Sequence, residues 1–286
     1  AGHQFLGAGL ELTPGLFRVG LMYGRLQRAV ERDTTTGNTI TPAYERTGYG
    51  GRIGYGTSSD YVDLIVFRAK DDAGSVGISP DSTGILPGEN LVVGLSGRTE
   101  ILSGVSLYFD GAVSDYTRDT RLQQLQNDNE LTDALTAVMP ARISTQLYTA
   151  LRAGLTLSFE SFGLNASFSR IDPDYQSMGA YAMNSDLLSV TVAPSLFIRS
   201  AGLRLSASVS AQRDNIQHKK AATTQRIFPI VAVSWTPSAN VGLDVQYTDV
   251  MTSHEAGRKP LTDSLVMKQR MPIVSMSPRY SIIDSE

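Results

Sequence analysis

The chain has 286 residues, a formal net charge of −3, no cysteine, 26 glycines and 12 tyrosines. Its lysines and arginines are spread along the chain rather than gathered in a stripe, which argues against a nucleic-acid partner, and the absence of cysteine excludes disulfides and thiolate metal sites. No run approaches the ~20 apolar residues of a membrane helix, no linker-like stretch divides the chain, and AGHQFLGAG at its start has no signal-peptide pattern.

The first clear element is LFRVGLMYG, where Phe17, Val19, Leu21 and Tyr23 alternate with Arg18, Gly20, Met22 and Gly24. TGYGGRIGYG follows, with glycine inside a strand-like pattern. Glycine weakens a strand in water, but a closed barrel tolerates it because every backbone group is paired around the ring. VSLYFDGAVS sets Val105, Leu107, Phe109 and Val113 opposite Ser106, Tyr108, Asp110 and Ser114. TALRAGLTLSF sets Leu151, Ala153, Leu155, Leu157 and Phe159 opposite Arg152, Gly154, Thr156 and Ser158. In LLSVTVAPSLFIR, Val190, Val192 and Leu196 oppose Ser189, Thr191 and Ser195. LRLSASVSAQR places Leu203, Leu205, Ala207 and Val209 against Arg204, Ser206, Ser208 and Ser210. VGLDVQYTD alternates Val241, Leu243, Val245 and Tyr247 with Gly242, Asp244, Gln246 and Thr248. A period of two means strands with one apolar and one polar face. A thirteenth strand is expected at about 264–277.

The connections sort by length. Tight turns fall at TPG (13–15), TSSD (57–60), LSG (102–104), SFG (161–163), SAG (200–202) and TPSAN (236–240). Long polar loops fall near 29–43, 71–89, 119–145, 172–186, 213–225 and 252–263. Strict alternation of short and long connections is the pattern of a transmembrane β-barrel, with tight periplasmic turns and long extracellular loops. Strands of about 10 residues, tilted ~45°, span roughly the ~25 Å apolar band of such barrels. Aromatics gather at strand ends: Phe17, Tyr55, Phe159, Phe162, Phe197 and Trp235 near the short turns, and Tyr23, Tyr44, Tyr116, Tyr175 and Tyr247 near the long loops. Two interfacial girdles have this distribution, although tyrosine also favours strands for other reasons. The expectation is an all-β, antiparallel up-and-down transmembrane β-barrel of at least twelve strands, fourteen or more in the full protein. It forms a single domain over 1–286, incomplete at its C-terminus. Leu155, Val190, Val192, Leu205, Val209 and Val245 are expected to face lipid.

GAGLELTPGLFRVGLMYGRLQRAV, YERTGYGGRIGYG and YVDLIVFRAKDD together resemble outer-membrane β-barrel proteins of the Bacteroidota, large barrels mostly without an assigned function. The resemblance is best over the first hundred residues and extends to the remaining hairpins only in style. It implies an outer-membrane location and no catalytic signature. One departure is the ending SIIDSE, where such barrels usually close on a strand with a terminal aromatic residue.

Little points to catalysis. His3 lies at the terminus, and His218 and His254 lie in long loops, none on a strand face with a serine and a carboxylate. The glycine clusters precede no helix and match no phosphate loop. Asp71, Asp72, Asp81 and Glu89 fit no calcium-loop spacing and read as solvated loop charge. Asn165 heads a glycosylation sequon inside a strand. No cofactor or metal is expected.

Arg18, Arg52, Arg98, Arg152 and Arg204, with Glu11, Asp110 and Asp244, fall on the polar face, because arginine at mid-membrane on the lipid face costs ~2–4 kcal/mol. They read either as a charged pore wall selecting anions or polar solutes, or as ion pairs filling a plugged lumen. In RLQQLQNDNELTDALTAVMP, Leu122, Leu125, Leu131, Leu135 and Val138 approximate helical spacing and Pro140 follows. A helical insertion over 120–140 is expected, capping the rim or docking a partner, or folding inward. The functional expectation is a porin-like outer-membrane channel for small polar solutes. The alternative is a scaffold with a closed lumen that anchors a surface assembly; an enzyme comes third. Partners are outer-membrane lipid and proteins at the extracellular loops.

Overall fold

The computed structural model describes residues 6–31, 41–77, 84–125, 139–180, 184–257 and 266–281. Thirteen strands follow the chain: β1 (Leu6–Leu12), β2 (Phe17–Gln27), β3 (Glu45–Gly56), β4 (Tyr61–Asp72), β5 (Glu89–Leu102), β6 (Val105–Thr117), β7 (Thr145–Ser158), β8 (Phe162–Ile171), β9 (Leu187–Ile198), β10 (Leu203–Arg213), β11 (Ala222–Ser238), β12 (Val241–Ala256) and β13 (Lys268–Tyr280). They form one antiparallel sheet in which each strand neighbours the next, in the order β1 to β13 with no crossover. The up-and-down meander read from the alternation is therefore the fold. Short and long connections alternate as expected.

The tight turns close by local chemistry. At TPG the Phe17 amide donates to the Pro14 carbonyl at 3.1 Å. Gly202 turns the chain between β9 and β10 with φ of 58°, and a Cβ there would lie 2.0 Å from the Thr236 carbonyl oxygen. Glycine alone meets both demands.

The chain divides into two compact units, Ala1–Gly97 with Asp110–Ala150 and Asp174–Asn184, and Arg98–Phe109 with Leu151–Pro173 and Ser185–Glu286. In the first unit the register aligns Leu10, Leu21, Gly51 and Val66 in one row across β1–β4, and Gly9, Met22, Gly50 and Phe67 in the next. Directly paired residues of antiparallel strands share a face, so these rows belong to opposite faces. In the second unit Leu196, Leu205, Val233 and Val245 form one row across β9–β12, and Phe197, Arg204, Ser234 and Asp244 another. Each sheet wall thus has an apolar face and a polar face.

The core sits on the polar side. Leu26, Ala69 and Met178, with Phe67 and Tyr116 packed on them, form the buried cluster of the first unit. Leu26, Phe67 and Ala69 belong to the polar-face rows. On the apolar face Leu10, Leu21, Ile53 and Val62 remain half exposed or more.

Two expectations need correction. Strand lengths range from 7 residues in β1 to 17 in β11, not a uniform ten. β11 and β12 are the longest, at 17 and 16 residues, and side chains join their far ends, Thr224 to His254 at 3.2 Å and Gln225 to Glu255 at 2.9 Å. The thirteenth strand begins at Lys268 and runs to Tyr280. The expected helix over 120–140 is not among these, because its residues 126–138 lie outside the described residues. Its flank is β-like, with Gln124 bridged to Arg142 and the Leu125 amide donating to Ala141 at 2.9 Å.

Candidate functional site

The polar face carries the charges, and the register explains how they meet. In the first unit, glycine alternates with large residues along and across the rows. One row reads Glu11, Gly20, Arg52, Ile65; the row toward the short turns holds Arg18, Gly54, Asp63. Arg52 therefore reaches Glu11 over Gly20, and Arg18 reaches Asp63 over Gly54. Arg18 contacts both carboxylate oxygens of Asp63 at 3.1 Å, donates to the Thr57 carbonyl at 2.8 Å, and lies 4.2 Å from the Tyr61 ring centroid. A second guanidinium, Arg52, stands 3.9 Å from Asp63. A Cβ on Gly54 would fall 1.8 Å from the Asp63 carboxylate. The glycines are the gaps through which charged pairs two strands apart touch.

A cavity of about 490 Å³ lies along β1–β4, its lining drawn from the polar row, Glu11, Gly20 and Arg52, and from the apolar row, Leu10, Leu21 and Val66. Toward the long connections the polar face turns to neutral hydrogen bonding. Asn90 and Ser114 are fully buried. The Asn90 amide donates to Ser114 Oγ at 2.8 Å and to the Asp115 carbonyl at 3.0 Å. Asp71 accepts both arms of Arg46, at 2.7 and 3.1 Å, and the Gly88 amide at 3.0 Å.

In the second unit Arg152 lies 5.3 Å from the Tyr108 ring centroid, and Tyr108 lies over Gly154, where a Cβ would come within 2.4 Å of its ring. Arg204 lies 5.3 Å from the Phe197 ring. Such stacking leaves each charge partly available while holding the side chain against the wall. Arg98, Arg152, Arg204, Asp110 and Asp244 are all exposed, and Asp110 accepts a 2.6 Å hydrogen bond from Ser96. Ion pairs on this face run between strands one or two apart in the sheet.

The residues expected to face lipid share the apolar face. Val190, Val192 and Val209 are exposed, and Leu155, Leu205 and Val245 are half-buried by neighbours in their rows. Of the expected girdle, Tyr23, Tyr55 and Trp235 are exposed on that face, Tyr247 belongs to it by register, and Phe159 is exposed at a short turn. Phe17 meets Tyr55 edge to face at 5.5 Å. Phe197 is instead on the polar face, paired with Arg204. Tyr116 packs on the polar-face cluster, and Tyr44 and Tyr175 are buried. Position near a strand end does not settle which face a ring occupies; parity does.

Sequence reasoning also missed two charged triads on the apolar face. Arg68 donates to Tyr49 Oη at 3.0 Å and pairs with buried Glu89; Arg270 donates to Tyr247 Oη at 3.0 Å and pairs with buried Asp249. Both stand toward the long connections, and each arginine is neutralised by a carboxylate and steadied by a tyrosine. They mark the end of the apolar band on that side of the sheet. Glu89 is thereby engaged with Arg68 and Asp71 with Arg46, not with a shared cation. Among the described residues no group of three or more acidic or histidine side chains is placed to hold a metal.

Beyond the strands, Asp186 is buried and pairs with Lys220 at 2.5 Å while accepting the Ile216 amide at 2.8 Å. Burial pushes its carboxyl up, but the Lys220 ammonium and the amides of Ile216 and Asn215 outweigh that and hold it below the usual carboxylate range. Asn215 completes the knot, donating to Thr223 Oγ1 at 2.9 Å and accepting the Lys220 amide at 2.9 Å.

The arrangement offers graded polar contacts along a wall, a hydroxyl–imidazole contact between Thr224 and His254 at 3.2 Å among them. Compared with models of protein families and with curated proteins, the chain matches none of them.

Proposed function

We propose that this protein is a membrane-spanning β-barrel of the bacterial outer membrane, working as a narrow channel for small polar solutes. The observation that carries the membrane reading is the inversion of the two faces. The face bearing Arg18, Arg52, Asp63 and the glycines holds the buried cluster, while the leucine–valine face stays open. In water, contiguous apolar patches above a few hundred Å² are rare on monomers; against lipid they are the rule. The resemblance of the first hundred residues to Bacteroidota barrels supports the same location. The loop sorting supports a topology with the long connections outside the cell, free to meet protein partners.

The channel reading rests on the polar wall. Its exposed arginines and the glycine-lined cavity along β1–β4 suit solutes that exchange water for weak, repeated contacts, since conduction needs binding loose enough to release. Purified folded protein in planar bilayers should give discrete conductance steps. A second reading is favoured by one observation, the clamping of residues 175–179 onto the polar face described below. If the folded protein never conducts, it is a closed barrel that anchors a surface assembly.

A further inference from the structure

We propose that residues Tyr175–Gly179 are the constriction of this passage and that Met178 is the latch holding them in place; this rests on the channel reading above. The segment belongs to the connection between β8 and β9, yet it packs on the polar face of β2, β4, β5 and β6 in the first unit.

Two kinds of contact hold it. The first is polar: the Met178 amide donates to Asn90 Oδ1 at 3.0 Å in a buried bond, and Ser114 Oγ donates to the Gln176 carbonyl at 2.6 Å in a part-buried one. Asn90 also donates twice, to Ser114 Oγ and the Asp115 carbonyl, so its amide is committed to presenting Oδ1 to the segment. Such a network is costly to leave half-made. The second contact is a socket. Met178 enters a cluster of Leu26 and Ala69 with Phe67 and Tyr116 alongside. Gly88 makes room for its tip, because a Cβ there would lie 2.5 Å from Met178 Cε. Gly179 lies against Phe67, where a Cβ would come within 3.0 Å of the ring.

The socket's residue types are those of a seat built for a removable knob. Methionine is unbranched and flexible, so it enters and leaves a shaped pocket with less rearrangement than leucine or phenylalanine would need. Elsewhere the same wall keeps Arg98, Arg152 and Arg204 exposed. Here alone among the described strands' polar faces does a buried apolar cluster form, and a long connection supplies its central residue.

The test uses the full chain refolded in vesicles, where native folding is checked by heat-dependent gel migration and circular dichroism. Met178→Asp and Asn90→Ala/Ser114→Ala should each raise single-channel conductance about twofold or more, because aqueous cross-section governs passage. Met178→Ala stands in should the aspartate variant not fold. The chain has no cysteine, so Ala69→Cys provides a single thiol in the socket beneath Met178. A water-soluble maleimide should label it slowly, and faster once Asn90→Ala is added. Silence of the wild type with conductance in the variants also supports the assignment, with the latch closed at rest. Equal conductance in wild type and variants overturns the assignment and leaves the channel reading standing. Silence of all of them overturns both, and rapid labelling of Ala69→Cys alone overturns the latch.

Discussion

Gly54→Ala is the sharpest perturbation of the charge ladder. The added Cβ falls 1.8 Å from an Asp63 carboxylate oxygen and 2.7 Å from the Val62 carbonyl oxygen, so the carboxylate must retreat about 1.6 Å to reach ordinary contact at 3.4 Å. Contacts of 3.1 Å to Arg18 cannot survive that displacement, and Asp63 has almost no exposure to water. Stranding one member of a buried pair costs about 3–5 kcal/mol; with Arg52 still 3.9 Å away the expected loss is nearer ~2–4 kcal/mol. Gly94→Ala is the control, because its Cβ meets nothing closer than 3.5 Å. There the general gain of replacing glycine, ~0.5–1 kcal/mol, should show. Equilibrium unfolding by guanidinium in detergent micelles measures both. Repeating Gly54→Ala in an Asp63→Ala background removes the carboxylate it strikes but not the Val62 carbonyl at 2.7 Å, so the cost should fall by the share of the stranded pair while a backbone remainder persists. The reasoning is refuted by an equal cost in the two backgrounds, or by a cost below ~0.5 kcal/mol in the native one, the range of ordinary surface changes.

Other expectations follow from the same structure. Leu205→Arg should slow or abolish insertion into vesicles, at ~2–4 kcal/mol for a guanidinium at mid-membrane, while Ser208→Arg on the opposite face should insert normally; equal insertion would reverse the facing. Because the Asp186 carboxyl is held low in the folded protein, its stabilisation is present above its unfolded value and is lost as pH falls through the lower, folded one. Asp186→Asn should flatten that acid limb of stability while Lys220→Met weakens the knot at neutral pH, both read by thermal unfolding from pH 7 down to pH 3. Replacing Arg152 and Arg204 together with serine should shift the reversal potential under a salt gradient toward lower anion preference; an unchanged potential would remove them from the ion path.

The strands, their order and the sorting of their connections were legible in the sequence, because period-two alternation and turn residues are local properties of the backbone. Parity also separates Arg152 and Arg204 from Leu155 and Leu205 without any structure. What parity does not supply is register, and register decides partners. Glu11 meets Arg52, and Arg18 meets Asp63, only because Gly20 and Gly54 come to rest between them two strands apart. Asp63 hid inside the apolar run YVDLIVF, where its odd charge was the available signal. The triads of Arg68 and Arg270 likewise needed the pairing of strands before a charge on the apolar face made sense. Met178 was least legible. Its hydrogen-bond partner Asn90 lies 88 residues away, and a methionine in a polar loop gives no local sign of where it will be buried. Local alternation determined which residues form walls; the tertiary fold decided which charges touch, which rings turn inward, and which loop leans on the wall, since those depend on contacts between distant strands.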